Sequence, residues 1–156
     1  MTYFLGIDAG LRKTGWAIIT KIDNQIKYIS SGVIKTTGCD AEALLKIFDS
    51  ISEVIEKHKP HYVAIENTYV NENPLSSLKL AQARSASIIA CSKAGLIPSE
   101  YQASTIKKVV SGKGNADKSQ VERMITLQLG QITKKTYDES DAIAIAFCDA
   151  LFQKRV

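Results

Sequence analysis

The chain has 156 residues, of which 45% are hydrophobic and 23% charged. That composition supports a single globular domain over residues 1–156 and excludes a disordered chain. No run of about 18 apolar residues occurs, and the N-terminus lacks a basic start followed by an apolar stretch, which excludes a membrane span or secretory signal and leads us to expect a cytoplasmic protein. Twenty Lys+Arg against sixteen Asp+Glu leave a net charge of +4. Between Tyr101 and Lys118 the balance is sharper: Lys107, Lys108, Lys113 and Lys118 face a single acid, Asp117. Such a segment fits either a polyanion site or an ordinary solvated face.

In chain order, Tyr3–Asp8, Thr14–Thr20 and Ile26–Thr36 read as three strands, the last after a turn signal at Asp23-Asn24. Short connections make them an antiparallel meander. Helical spacing of Leu44, Leu45, Ile47, Phe48, Ile51, Val54 and Ile55 predicts a helix from Asp40 to Pro60. His61–Glu66 is a fourth strand. Asn73-Pro74 starts a helix, with Asn as N-cap and Pro in the first turn, which runs to Lys93 before Gly95. Leu96–Tyr101 is a fifth strand and Thr105–Val110 a short helix. Asp117 and Gln120 form a capping box opening a helix to Leu129, and a last helix runs from near Asp138 through Phe152. The order predicts an α/β fold, a mixed five-stranded sheet with helices on its faces.

Cys39, Cys91 and Cys148 are too few and too far apart for a zinc site or a disulfide framework, and His58 and His61 lack further ligands at workable spacing. Four acids are more informative. Asp8 and Glu66 each end an apolar strand, and Asp138 and Asp141 stand three apart, on one side of a helix. Strand ends of an open sheet meet where ligands bind. Four carboxylates brought together there would repel one another, and hard divalent cations would relieve that repulsion; an all-oxygen set favours Mg²⁺ or Mn²⁺. Two such ions would serve phosphodiester cleavage without a protein nucleophile. Each acid also has a structural reading: Asp8 as a turn residue, Glu66 as an exposed strand end, Asp138 as an N-cap, Asp141 as a first-turn acid. Spacing alone leaves both readings open.

Five blocks in order resemble the RuvC Holliday-junction resolvases, endonucleases with an RNase H-like fold: G-I-D-A-G-L-R-K-T-G-W-A (6–17), Y-V-A-I-E-N-T-Y (62–69), L-K-L-A-Q-A-R (78–84), A-D-K-S-Q-V (116–121) and D-E-S-D-A-I-A-I-A (138–146). The resemblance covers nearly the whole chain and implies an RNase H-like sheet with helices on both faces. It also implies a magnesium-dependent enzyme that nicks opposed strands of four-way DNA junctions. Asp8, Glu66, Asp138 and Asp141 match the family's metal-binding catalytic acids, with two ions per subunit. Lys107 and Lys118 match basic positions at the scissile phosphate. Tyr69 matches an aromatic that stacks on an unpaired base, and Arg84, Lys108 and Lys113 fall among the DNA contacts; the match leaves Lys107 and Lys108 interchangeable. The implied partners are a second copy of the chain, branched DNA and a branch-migration helicase. Ala9 in place of Pro, Trp16 in place of Tyr, Ser85 in place of Gly and the shifted Ser111-Gly112 depart from the family pattern, but none removes a carboxylate. Two other readings stand beside this one: another RNase H-like nuclease acting on branched or RNA-containing substrates, and a junction-binding protein without turnover.

Overall fold

Alternating apolar side chains in the first 35 residues form three adjacent antiparallel strands in the computed structural model, β1 (Thr2–Asp8), β2 (Lys13–Ile22) and β3 (Gln25–Lys35). The residues described are 1–67, 72–130 and 135–153. The amphipathic helix α1 (Asp40–His58) crosses over to β4 (Tyr62–Glu66), which lies parallel to β1, and α2 (Pro74–Lys93) crosses over to β5 (Ser99–Tyr101), parallel to β4. The sheet order is β3-β2-β1-β4-β5. Then come α3 (Ala103–Ser111), α4 (Lys118–Leu129) and α5 (Tyr137–Phe152).

Strand residues alternate between faces, so each strand feeds two cores. Leu5, Ile7, Ile18, Val63 and Ile65 pack against α1 and α2. Phe4, Ala17, Ile19 and Ala64 pack on the other face with Ile106, Val121, Ile143 and Phe147 from α3, α4 and α5. Helices therefore cover both faces of a five-stranded mixed sheet, as expected. Among the described residues, no helix is long and apolar enough to cross a membrane.

Most element ends shift by one to two residues from expectation, α3 for example running Ala103–Ser111, and three boundaries have a local cause. β5 begins at Ser99, not Leu96: Pro98 has no N–H to give a ladder, and Ile97 before it is 90% exposed. The helix before Pro60 stops at His58, because Lys59 turns left-handed at φ 47° and returns its N–H to the Ile55 carbonyl, 2.8 Å away. The N-cap of α5 is Thr136, not Asp138; Thr136 and Glu139 form a capping box, which places Asp138 inside the first turn.

Candidate active site

Parity puts the strand acids on one side. Phe4, Gly6 and Asp8 share a face of β1, and Tyr62, Ala64 and Glu66 share a face of β4. The register pairs Phe4 with Tyr62 and Gly6 with Ala64. Asp8 and Glu66 therefore end neighbouring parallel strands, side by side on the face that α5 covers.

Two glycines let α5 come close enough. A Cβ at Gly6 would run into the Ala142 carbonyl oxygen, and one at Gly15, the cross-strand partner of Asp8, would run into the Asp138 carbonyl oxygen. With only hydrogens there, the first turns of α5 rest on the sheet backbone and deliver Asp138 and Asp141 beside Asp8. The buried run Ala142–Ala150 locks the helix down.

The result is a cavity of about 360 Å³ lined by Asp8, Glu66, Lys107, Lys118, Asp138 and Asp141, with Ile106, Val121 and Ile145 among its apolar walls. Lys118 opens α4 immediately after the Asp117 cap and points to Asp141, Nζ to Oδ2 3.6 Å, while standing 5.7 Å from the centre of the Tyr137 ring. Lys107, rather than Lys108, lines the cavity; Lys108 and Lys113 are exposed outside it.

The electrostatics follow from crowding. Burial, then Asp141, Glu66 and Asp138, push the Asp8 carboxyl up to about 8, against the pull of Lys118. Glu66 is raised by burial and Asp141, opposed by Lys107 and Lys118. Asp141 is raised by burial, opposed mainly by its contact with Lys118. The all-oxygen set and its unrelieved charge fit a hard divalent cation. Among the described residues no three of these groups already form a coordination shell, so the side chains must draw inward around an ion.

Arg84 sits beneath the site. Its Nε donates to the Glu66 carbonyl oxygen, 3.2 Å, and its guanidinium pairs with Glu100 of β5. Only 17% of its side chain is exposed, so its placement is that of a clamp on the end of β4. Nothing in the sequence marked the Arg84–Glu100 pair, because the two meet only when β4 and β5 align. Tyr69 lies outside the described residues.

The family described as crossover junction endodeoxyribonuclease RuvC matches residues 4–149. A protein of that name from Lawsonia intracellularis is 41% identical over 150 residues, covering 95% of this chain and 89% of the relative. Another from Pseudoalteromonas atlantica is 45% identical over 150 residues, covering 95% and 86%. Among solved structures, T. thermophilus RuvC in complex with Holliday junction substrate superposes with a TM-score of 0.90 at 25% identity, covering 97% of this chain and 94% of that one. The yeast mitochondrial Holliday junction resolvase shares the fold, with a TM-score of 0.68 at 15% identity over 94% and 77%.

Proposed function

The chain belongs to the RuvC family of crossover junction endodeoxyribonucleases, and on that premise we propose that it resolves four-way DNA junctions by hydrolysing phosphodiesters in the Asp8–Glu66–Asp138–Asp141 cavity. The observation that carries the reading is the meeting of those four acids, from three separate elements, with Lys107 and Lys118 around one cavity.

Asp8, Glu66, Asp138 and Asp141 would hold Mg²⁺, or Mn²⁺ in its place, and four carboxylates are enough for two ions. Bound there, such cations supply Lewis acidity toward the phosphate and make water acidic enough to attack. The chain's own residues do the rest. The scissile phosphate gains negative charge as the new P–O bond forms and the old one breaks; Lys107 and Lys118 meet that charge from α3 and α4. Asp141 holds Lys118 in the cavity before substrate arrives. Arg84 fixes the Glu66 backbone, so that the carboxylate projects from a rigid strand end. The apolar walls at Ile106, Val121 and Ile145 limit competing water.

A second copy of the chain fits along α2. Leu75, Leu78, Gln82, Ser85 and Ile89 fall on one helical stripe, and its apolar members are 58–70% exposed. A two-fold pair would present two cavities to opposed strands of one junction. A branch-migration helicase remains a proposed partner with no assigned surface.

The test is cleavage of a labelled four-way junction beside a linear duplex of the same sequence, in Mg²⁺ and in EDTA, with wild type and Glu66→Gln. Paired symmetric nicks in the junction alone, lost in EDTA and in the variant, are expected. Binding without cleavage under every metal condition would overturn the catalytic reading.

A further inference from the structure

Beside the acid cavity lies a second one that the chemistry above does not use. It has a volume of about 710 Å³ and is lined by Lys13, Lys35, Lys135, Tyr137 and Glu122, with Asp138 forming a wall common to both cavities. Lys13 and Lys35 are direct cross-strand partners at the ends of β2 and β3. Parity puts them on the same sheet face as Gly15 and Asp8: Lys13 is two residues from Gly15, and Lys35 is two from Val33, its cross-strand partner. Like charges directly opposite in an antiparallel pair are destabilising, with Cβ atoms about 4.5–5.5 Å apart. Among the described residues neither ammonium has a carboxylate within ion-pair distance; the pairs present are Arg12–Asp40, Arg84–Glu100, Lys118–Asp141 and Lys135–Glu139. Lys135, in contrast, is held 3.8 Å from Glu139 and 5.0 Å over the Tyr28 ring, which fixes it as part of the wall.

We propose that this groove binds the phosphodiester backbone of the DNA strand that continues away from the scissile phosphate, with Lys13 and Lys35 straddling a phosphate and exposed Tyr137 flanking the path. The inference rests on the reading of the neighbouring cavity as the cleavage site. Lys13 stands one strand spacing of about 4.8 Å across and two residues, about 6.8 Å, along from Asp8, and Lys35 one spacing further, so the pair lies ~8–12 Å from Asp8. A phosphate between the ammonium groups removes their mutual repulsion, just as a cation removes that of the carboxylates. The two cavities meet at Asp138, so one continuous strand can run through both. Glu122 is the lining acid outside the cleavage site that opposes an incoming phosphate.

Junction binding is measured in Ca²⁺, by fluorescence anisotropy of a labelled four-way junction from 50 to 200 mM salt, for wild type, Lys13→Gln/Lys35→Gln and Glu122→Gln. Thermal midpoints confirm that each variant folds. Each phosphate contact contributes about 0.9 to the slope of log K against log salt. With one phosphate straddled in each subunit of the two-fold pair, the double variant should bind with a slope shallower by ~2, so that wild type loses about tenfold more affinity than the variant over that fourfold range. Glu122→Gln should bind more tightly than wild type. If wild type binds the junction with a steep slope and the double variant matches it, the groove assignment is overturned and the cleavage site stands. If wild type does not bind the junction, both readings fall.

Discussion

Asp8→Asn should make the metal-free protein more stable, although it removes the acid at the centre of the site. Asp8 has an ordinary pKa of 3.8 and sits at about 8 in the fold. At pH 7 its unfolded form is ionised by about three pH units while its folded form keeps its proton; at ~1.36 kcal/mol per unit, that difference costs up to about 4 kcal/mol. Asp8 keeps some contact with water and the carboxylates can relax apart, so about 1–3 kcal/mol is the expected gain when Asn, with the same shape and no charge, replaces it. For a chain of this length that is ~3–10 °C in thermal midpoint. A folded pKa raised above the unfolded one gives stability that is full below about pH 4 and lost as pH climbs through about 8. Wild type in EDTA should therefore weaken steadily across pH 4–8, and Asp8→Asn should weaken less. Mg²⁺ should reverse the order, stabilising wild type by binding the folded state and leaving the variant nearly unmoved. Thermal unfolding at pH 5, 6, 7 and 8, with EDTA and with Mg²⁺, measures all of this. A variant no more stable than wild type in EDTA at pH 8, or with the same slope against pH, would refute the crowding argument.

Lys118→Gln should lower kcat by about 10²–10³ and move the acid limb of the pH–rate profile to higher pH, because Asp141 loses the cation that pulls its pKa down; a pH–kcat profile that does not move would count against the contact. Gly15→Ala places a methyl against the Asp138 carbonyl; overpacking of that kind costs about 1–3 kcal/mol, and junction cleavage should fall further than stability as α5 shifts, which urea unfolding and a cleavage assay would separate. Leu78→Glu, in the middle of the exposed α2 stripe, should turn a dimer into a monomer in sedimentation velocity while metal-dependent stabilisation persists; an unchanged sedimentation coefficient would move the interface elsewhere.

Much of this molecule was legible in its sequence, for reasons that are local. Period-two alternation and short turns gave β1 to β3, helical spacing gave α1, and the Asn73-Pro74 and Asp117–Gln120 caps gave the starts of α2 and α4. The acids could be named because strand ends and an i, i+3 pair are local features. What was missed depends on contact between distant segments or on a competing local signal. Gly6 and Gly15 read as ordinary strand glycines until α5 is laid on them. The contacts of Arg84 to Glu66 and Glu100 form only once β4 and β5 align. Lys107 could not be told from Lys108 until α3 was docked and one of them turned inward. The start of α5 at Thr136 is a local feature too: Thr136-Tyr137-Asp138-Glu139 has the spacing of a capping box.

Two ways of burying an acid occur within α5. Asp149 is fully buried, and the fold provides donors for it: Tyr101 Oη at 2.7 Å and Gln153 Nε2 at 3.1 Å, both to Oδ1. Its interactions tie edge strand β5 to the helix. At the other end of α5, Asp8 and Glu66 receive no hydrogen bond to their carboxylates from any described side chain, and only Lys118 reaches Asp141. A chain that gives its most buried carboxylate two protein donors at Oδ1, although Oδ2 has none, while leaving a cluster of less buried ones facing each other, has placed the two sets under different demands. Where stability alone is served, the donors come from the fold. Where charge is left unmet at the mouth of a cavity, the stabilising partner has to come from outside, and the cost of waiting for it is the price of a site that binds cations and substrate together.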